Sequence, residues 1–514
     1  MMAASASLYS FFFSLSQTLN NLYPDQFYKQ FIENGLSKDP LFHMAIANMI
    51  YYLKVPTTGL HFAPYLGYHY LGHWLMAAAI GLTNLKIYEF YGYFNSFILI
   101  PLLILALDLF YEKQLGRRKF VAHFLTGLLL FGPAYDSTLW SDFKTASWFN
   151  LGDPTVPIAL VISVLYFASV ESKSRWMLLF APLGFVAKGP LGFIITGSEI
   201  FKSLFCFARE KKEVFLRLAI LAVLGIFSLK YFSFRPQGNS MDFTWFYYFK
   251  TSFAGLNAFQ VITDQFFILW CLILVLVLSK KTFLQIEFFP IATSLAIVLV
   301  VAHFPLWGGG SQSHFVIFVN WLSLLAFVPR TLNTSGLSQK FLIPVFIYAG
   351  YLATRNIVQT DYFLDFTEKR AQIYKHRMGD LYQIDLKGAE TCRKIIRPYL
   401  DAFKNFDPTD PAHRFLVDVP ESETEFWNCS LLNSYGSRYF MPFLIPIVAE
   451  RAAFNGYNPS FMYAKPVGWN PTGLYGYARY YRPWPQDPCN FGFQGIFRVA
   501  KQNGVVATST SQCP

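Results

Sequence analysis

Long apolar runs separated by short polar clusters alternate along the first 356 residues, and the pattern stops there. Runs near 91–111, 119–135, 156–172, 176–206, 215–234, 261–279, 286–306, 314–329 and 340–355 approach the length a helix needs to cross a hydrocarbon layer, about 20 residues. The 176–206 run reads either as one bent span or as two short ones, because Lys188-Gly189-Pro190 interrupts it. The run from Leu71 to Leu82 is shorter and reads as re-entrant or interfacial. Basic clusters at Arg117-Arg118-Lys119, Lys173 to Arg175, Arg209 to Lys212, Lys280-Lys281 and Arg330 to Lys340 separate these runs, as cytoplasmic loops do. The loops at 136–155, 235–260 and 307–313, and everything after residue 356, then fall on the opposite side. Residues 1–23 contain the apolar run LYSFFFSLS without a basic flank or a small-residue cleavage site, so a removable signal peptide is not expected.

Ahead of these runs, the stretch from Asp39 to His73 gathers ionisable and aromatic groups. Asp39 and His43 are four residues apart, and His69 and His73 repeat the spacing. Residues four apart share one face of a helix. Pro40 and Pro64 each suit a first helical turn, so two short helices joined by a turn at Lys54 to Gly59 are predicted, polar faces towards each other. The first, from Pro40 to Leu53, carries Leu41, Phe42, Ala45, Ile46, Met49, Ile50 and Leu53 on one side, a pattern suited to the membrane interface. The plainer reading makes Asp39 a helix cap and the histidines core residues. Density argues for more: of nine histidines, three lie between His61 and His73, and His43 is just upstream.

The division implied is an apolar segment 1–356 and a tail, 357–514, where charge rises and hydropathy falls. In the tail, RFLVDVP from Arg414 to Pro420 alternates like a strand, and Ile445 to Phe454 is predicted as helix. Composition agrees with an α-helical polytopic membrane protein carrying a C-terminal soluble α/β domain: 54% hydrophobic, 19% aromatic, 14% charged, mean hydropathy +0.33. A net charge of +11 does not point to nucleic acid, since Lys and Arg sit in clusters between apolar runs and suit anionic lipid headgroups. Of six cysteines, four (Cys392, Cys429, Cys489 and Cys513) lie in the tail, where they permit two disulfides in three pairings. Cys206 and Cys271 sit in or beside apolar runs and read as packing residues. No CxxC pair, phosphate-loop or dinucleotide glycine fingerprint, or solenoid repeat occurs.

Asp39-Pro40-Leu41-Phe42-His43, followed by a proline-bearing loop and Tyr68-His69-Tyr70-Leu71-Gly72-His73, resembles the first external loop of bacterial membrane glycosyltransferases of the GT-C superfamily, relatives of the dolichyl-phosphate-mannose protein mannosyltransferases. Lys188-Gly189-Pro190-Leu191-Gly192 within an apolar run and the C-terminal domain extend the resemblance. It implies an enzyme that passes a sugar from a polyprenyl-phosphate carrier to a glycan, lipid or protein acceptor outside the cytoplasm, with inversion. An attacking hydroxyl needs a base and a departing phosphate needs donors or positive charge. By resemblance, Asp39 fits the base, and His43, counted with it as catalytic, joins Tyr68, His69, His73 and Lys188 in serving the lipid phosphate.

Many members of that family carry a second acidic residue beside the first, whereas Asp39 is flanked by Lys38 and Pro40. A divalent cation bridged by adjacent carboxylates is therefore not expected here. Asp136 or Asp142 from another loop could supply a partner, although loop solvation explains them more simply, and the cofactor stays open. Lys188 in an apolar run either snorkels or binds phosphate. The Trp307 to His314 loop, the tail aromatics Trp469, Tyr475, Tyr477, Tyr480, Tyr481 and Trp484, and Arg438 and Arg451 are secondary candidates. The alternatives are a transporter or flippase, against which the lack of repeated halves counts, a non-catalytic protein of surface-polysaccharide assembly, and an O-antigen ligase or polymerase.

Overall fold

The structure, a computed structural model, describes residues 38–54, 56, 70–83, 85–87, 90–91, 98–123, 126, 155–171, 178–206, 211–233, helical positions between 318 and 333, 386–404, 415–420, 422–426, 441–455 and 493–513, with the backbone alone in parts of some helices. In chain order the elements are α1 (Lys38–Leu53), α2 (Leu71–Thr83), α3 (Ile100–Leu115), α4 (Thr155–Glu171), α5 (Phe180–Ala187), α6 (Gly189–Cys206), α7 (Lys211–Ser233), α8 (Leu386–Lys404), β1 (Phe415–Val419), α9 (Met441–Ala449), β2 (Ala453–Asn455), β3 (Gly495–Gln502) and β4 (Val505–Gln512). They form two compact units. One holds α3 to α6 with α7 as far as Tyr231, and the other holds α1, α2, α8, α9 and the sheet.

In the helical unit α3 packs on α4, α4 on α5, and α5 on α6. Pro101 opens α3, where a missing N–H costs nothing, and Gly116 closes it at φ +53°, a conformation glycine adopts without strain. The interruption expected at Lys188-Gly189-Pro190 is present. Lys188 is extended at φ −160° and ψ 117°, ending α5. Its carbonyl then accepts from the Leu191 and Gly192 N–H groups at 3.0 and 3.3 Å, starting α6. The reversal needs close backbones: a Cβ on Gly192 would lie 2.6 Å from the Phe185 nitrogen, and one on Gly184 would lie 3.0 Å from the Gly192 Cα. Leu105, Leu109, Phe215, Leu216, Val223 and Ile226 are exposed along α3 and α7. Among the described residues no helix is long and apolar enough to cross a membrane. The runs expected at 261–279, 286–306 and 340–355 lie outside the described residues.

The second unit is built on a four-stranded sheet of order β2-β1-β3-β4, with β1 parallel to both neighbours and β3–β4 an antiparallel hairpin. Asn503 and Gly504, both at positive φ, make the hairpin turn that this dipeptide favours. Leu416, Val417, Asp418 and Val419 are all buried, so β1 does not alternate in exposure as its sequence pattern suggested. A strand held between two parallel neighbours with both faces covered buries every position. The 445–454 segment is also corrected: α9 runs from Met441 to Ala449, and after Glu450 at φ 51° the chain becomes β2.

The largest departure concerns α1, for which a membrane-interface position was expected. Positions 43 to 50 are buried all round, including His43 and Asn48. α1 packs on α2 and on α9. Met49 joins Leu416, Ala452 and Phe493 in one cluster, with Tyr52 and Leu53 against it. The Asn48 amide donates to the Pro446 carbonyl at 3.0 Å. That carbonyl belongs to the last turn of α9, where no helical N–H remains to satisfy it. α1 and α2 belong to the same compact unit as the tail elements, and α1 packs directly on α9.

Candidate functional site

α1 and α2 meet at two histidines. His43 Nδ1 and His73 Nε2 are 2.8 Å apart, both rings are buried, and their centroids are 4.9 Å apart at 36°. α1 supplies His43 from its second turn. Tyr70 caps the start of α2, its carbonyl accepting from the Trp74 N–H at 2.9 Å, and its ring meets His73 edge-on at 5.8 Å. α2 turns Gly72, His73, Met76, Ala77 and Ile80 inward, the spacing of one helical face, and leaves Trp74, Leu75 and Leu82 exposed.

One hydrogen lies between two facing imidazole nitrogens. The pair therefore holds a charge of zero or +1 without losing its bond; a second added proton sets two N–H groups against each other. Burial strengthens whatever field that charge exerts. Asp39 lies on α1 one turn before His43; its side chain is outside the described ones. Tyr68 and His69 lie outside the described residues, as do Asp136, Asp142, Arg438, the 307–314 loop and the aromatic run from Trp469 to Trp484. Among the described residues no three His, Cys, Asp or Glu side chains gather as a metal site.

Lys188 belongs to the helical unit. It is 2% exposed, and its Nζ donates to Thr155 Oγ1 at 3.1 Å, so it does not snorkel to an aqueous surface. Arg451, also buried, donates from Nη1 to the Glu450 carbonyl at 2.8 Å, while the Glu450 carboxylate pairs with Lys86 at 2.8 Å. Burial pushes the neighbouring Tyr52 hydroxyl far above its ordinary value; Glu450 adds to the rise and Arg451 opposes it. Cys513, next to β4, is disulfide-bonded.

Three polar groups were not singled out from sequence. Asp418 on β1 accepts from Arg498 Nε on β3 at 2.9 Å; burial raises its carboxyl above the usual range, with Arg498 pulling the other way. Glu423, after β1, accepts from the Tyr399 hydroxyl and from the Lys501 N–H. Glu199 is fully buried in α6 and accepts from the Tyr166 hydroxyl at 2.7 Å. Its signal was a lone acid inside an apolar run.

No protein-family model and no curated protein matches the chain. Among solved structures it is similar to the oligosaccharyltransferase of Archaeoglobus fulgidus: to the apo form at 10% identity and TM-score 0.39, over 96% of this chain and 69% of that one. To the same enzyme with zinc and sulfate it is 12% identical, with TM-score 0.38 over 97% and 68%. To that enzyme with an inhibitory peptide and a dolichol-phosphate it is again 12% identical, with TM-score 0.35 over 90% and 66%.

Proposed function

We propose that this protein is a multi-pass membrane glycosyltransferase that moves a sugar from a polyprenyl-phosphate carrier to an acceptor hydroxyl on the extracytoplasmic side, with inversion. The observation that carries the reading is the buried His43–His73 bridge, which ties α2 to the helix that presents Asp39 one turn from His43. In the reaction the acceptor oxygen attacks the anomeric carbon and gives its proton to Asp39. The bond from that carbon to the phosphate oxygen breaks, and the lipid phosphate leaves with the electron pair. When it holds its extra proton, the imidazole pair adds one positive charge close to the helix that carries Asp39. With His43 3% exposed and His73 0%, the rings act through field and positioning rather than by touching the donor. Tyr68 and His69, from the segment leading into α2, complete the phosphate site. Lys188 stays with the helical unit, where its bond to Thr155 gives it a structural part.

Several features support the cellular setting. Leucines, Phe215 and β-branched side chains exposed along α3 and α7 call for an apolar solvent. α1 and α2 pack in the unit that also contains α9 and β1, which favours one side of the membrane for Asp39 and the tail and disfavours a crossing by the 71–82 segment. The disulfide at Cys513 favours an oxidising compartment. The test is consumption of polyprenyl-phosphate-linked sugar by the purified full chain in nanodiscs. Transfer lost in Asp39→Asn, with the melting temperature retained, supports the assignment; an Asp39→Asn variant that transfers at the wild-type rate overturns it.

A further inference from the structure

α4 is bridged twice to the segment that opens at Lys188 and continues as α6, by Thr155 with Lys188 and by Tyr166 with Glu199. Both pairs are separated by 33 positions, so the two segments run side by side in one direction and the bridges are 11 residues apart. At the helical rise that is about 16 Å. The Lys188 ammonium is thus too far along the bundle to neutralise Glu199, and among the described residues no cation pairs with that carboxylate.

Glu199 is 0% exposed. Its Oε1 is held by the Tyr166 hydroxyl, while its buried Oε2 has no hydrogen-bond partner. Two further buried oxygens without a partner lie on the same helix: Thr196 Oγ1, three residues before, and Ser203 Oγ, four residues after. Positions spaced at i, i+3 and i+7 share one face, so the three oxygens make a stripe along α6 with the carboxylate at its centre. Among the described residues this buried carboxylate is met by a neutral hydroxyl, an arrangement with a large desolvation cost, and orphaned buried oxygens mark a bridging ion or water.

We infer that Glu199 Oε2, with Ser203 Oγ and Thr196 Oγ1 flanking it, forms a binding site for a monovalent, sodium-sized cation inside the helical unit. The donors are all oxygen, which selects a hard ion. They carry one negative charge, which a monovalent cation balances. Glu199 and the hydroxyl one turn on make no direct bond, as groups that share a bridging ion would not. Tyr166 fixes the carboxylate by its other oxygen, so Oε2 is presented without further ordering. The ion would reinforce the α4–α6 contact, and the inference is independent of the transfer reaction proposed above.

The experiment measures thermal unfolding and 22Na+ binding of the full chain in nanodiscs, in NaCl against choline chloride at equal ionic strength and fixed pH. The expected result is a saturable rise in melting temperature with Na+ that choline does not reproduce, with stoichiometric 22Na+ retention. Glu199→Gln should abolish both, and Ser203→Ala should raise the sodium midpoint several-fold while leaving the fold intact. If Glu199→Gln fails to fold, Ser203→Ala and Thr196→Val carry the test. A wild-type protein indifferent to Na+ overturns the inference, as does a sodium response that survives these substitutions. A melting temperature that follows pH alone, with Glu199→Gln as stable as wild type, assigns the site to a proton and also overturns it.

Discussion

The two units bury polar groups in opposite ways. In the unit containing the sheet, two titratable rings face each other, so one proton is shared and one charge can come and go while the 2.8 Å contact persists. In the helical unit Lys188 donates to the Thr155 hydroxyl and Glu199 accepts from the Tyr166 hydroxyl, so each of these two buried bonds joins an ionisable group to a neutral one. A shared proton suits a site whose charge changes during a reaction. An ion held by a hydroxyl suits a fixed scaffold or a bound counter-ion. The difference therefore separates the region proposed for chemistry from the region proposed to hold a cation.

The strongest way to break this comparison is Asp39→Asn. As the proposed general base it should contribute about 10^2- to 10^4-fold, so transfer should fall by that factor while thermal unfolding stays unchanged. An unchanged rate removes the chemical half of the comparison. Next comes Gly192→Ala in the helical unit: the added methyl meets the Phe185 backbone nitrogen at 2.6 Å, and forced overpacking of this kind costs about 1–3 kcal/mol. Its effect should appear in unfolding and not in the donor KM.

Asn48→Leu sharpens the other half. It leaves the Pro446 carbonyl buried without its donor, a loss of about 1–3 kcal/mol, read as a lower melting temperature. Lys188→Met separates the two readings of that lysine: the scaffold role predicts altered stability with donor KM unchanged, and a raised donor KM returns Lys188 to the phosphate. The smallest expected effect is one of pH. Burial raises the Asp418 carboxyl above its ordinary value against the opposing pull of Arg498, so the folded state binds this proton more tightly than the unfolded one. This contribution to stability is present at low pH and is lost as pH rises from about 4 through the folded-state value. Asp418→Asn should flatten that part of the pH–melting profile.

Local features were legible wherever neighbouring residues carry them. The apolar run at 156–172, expected as a span, is helical as α4 at Thr155–Glu171, and the interruption at Lys188-Gly189-Pro190 separates α5 from α6. The strand within Arg414 to Pro420 is β1 at Phe415–Val419, and the Asp39–His43 spacing falls on one helix. Where packing decides, local reading failed. α1 has enough apolar residues to suggest a membrane surface, yet Asn48 and Met49 are satisfied by Pro446 and Leu416, hundreds of residues away. Ile445 to Phe454 is apolar enough to continue as helix, but Ala453 pairs with Val417 on β1 and the chain extends.

By itself the sequence determined which segments are apolar, where a helix must stop, and which ionisable groups stand one turn apart, because periodicity, proline and glycine act over a few residues. Only the tertiary structure decided that His43 meets His73 rather than Asp39's helix standing alone, that α1 is enclosed by α2 and α9, and that Glu199 meets Tyr166. Those outcomes depend on which buried surfaces and polar partners fit one another across the chain, and no short-range pattern encodes that choice.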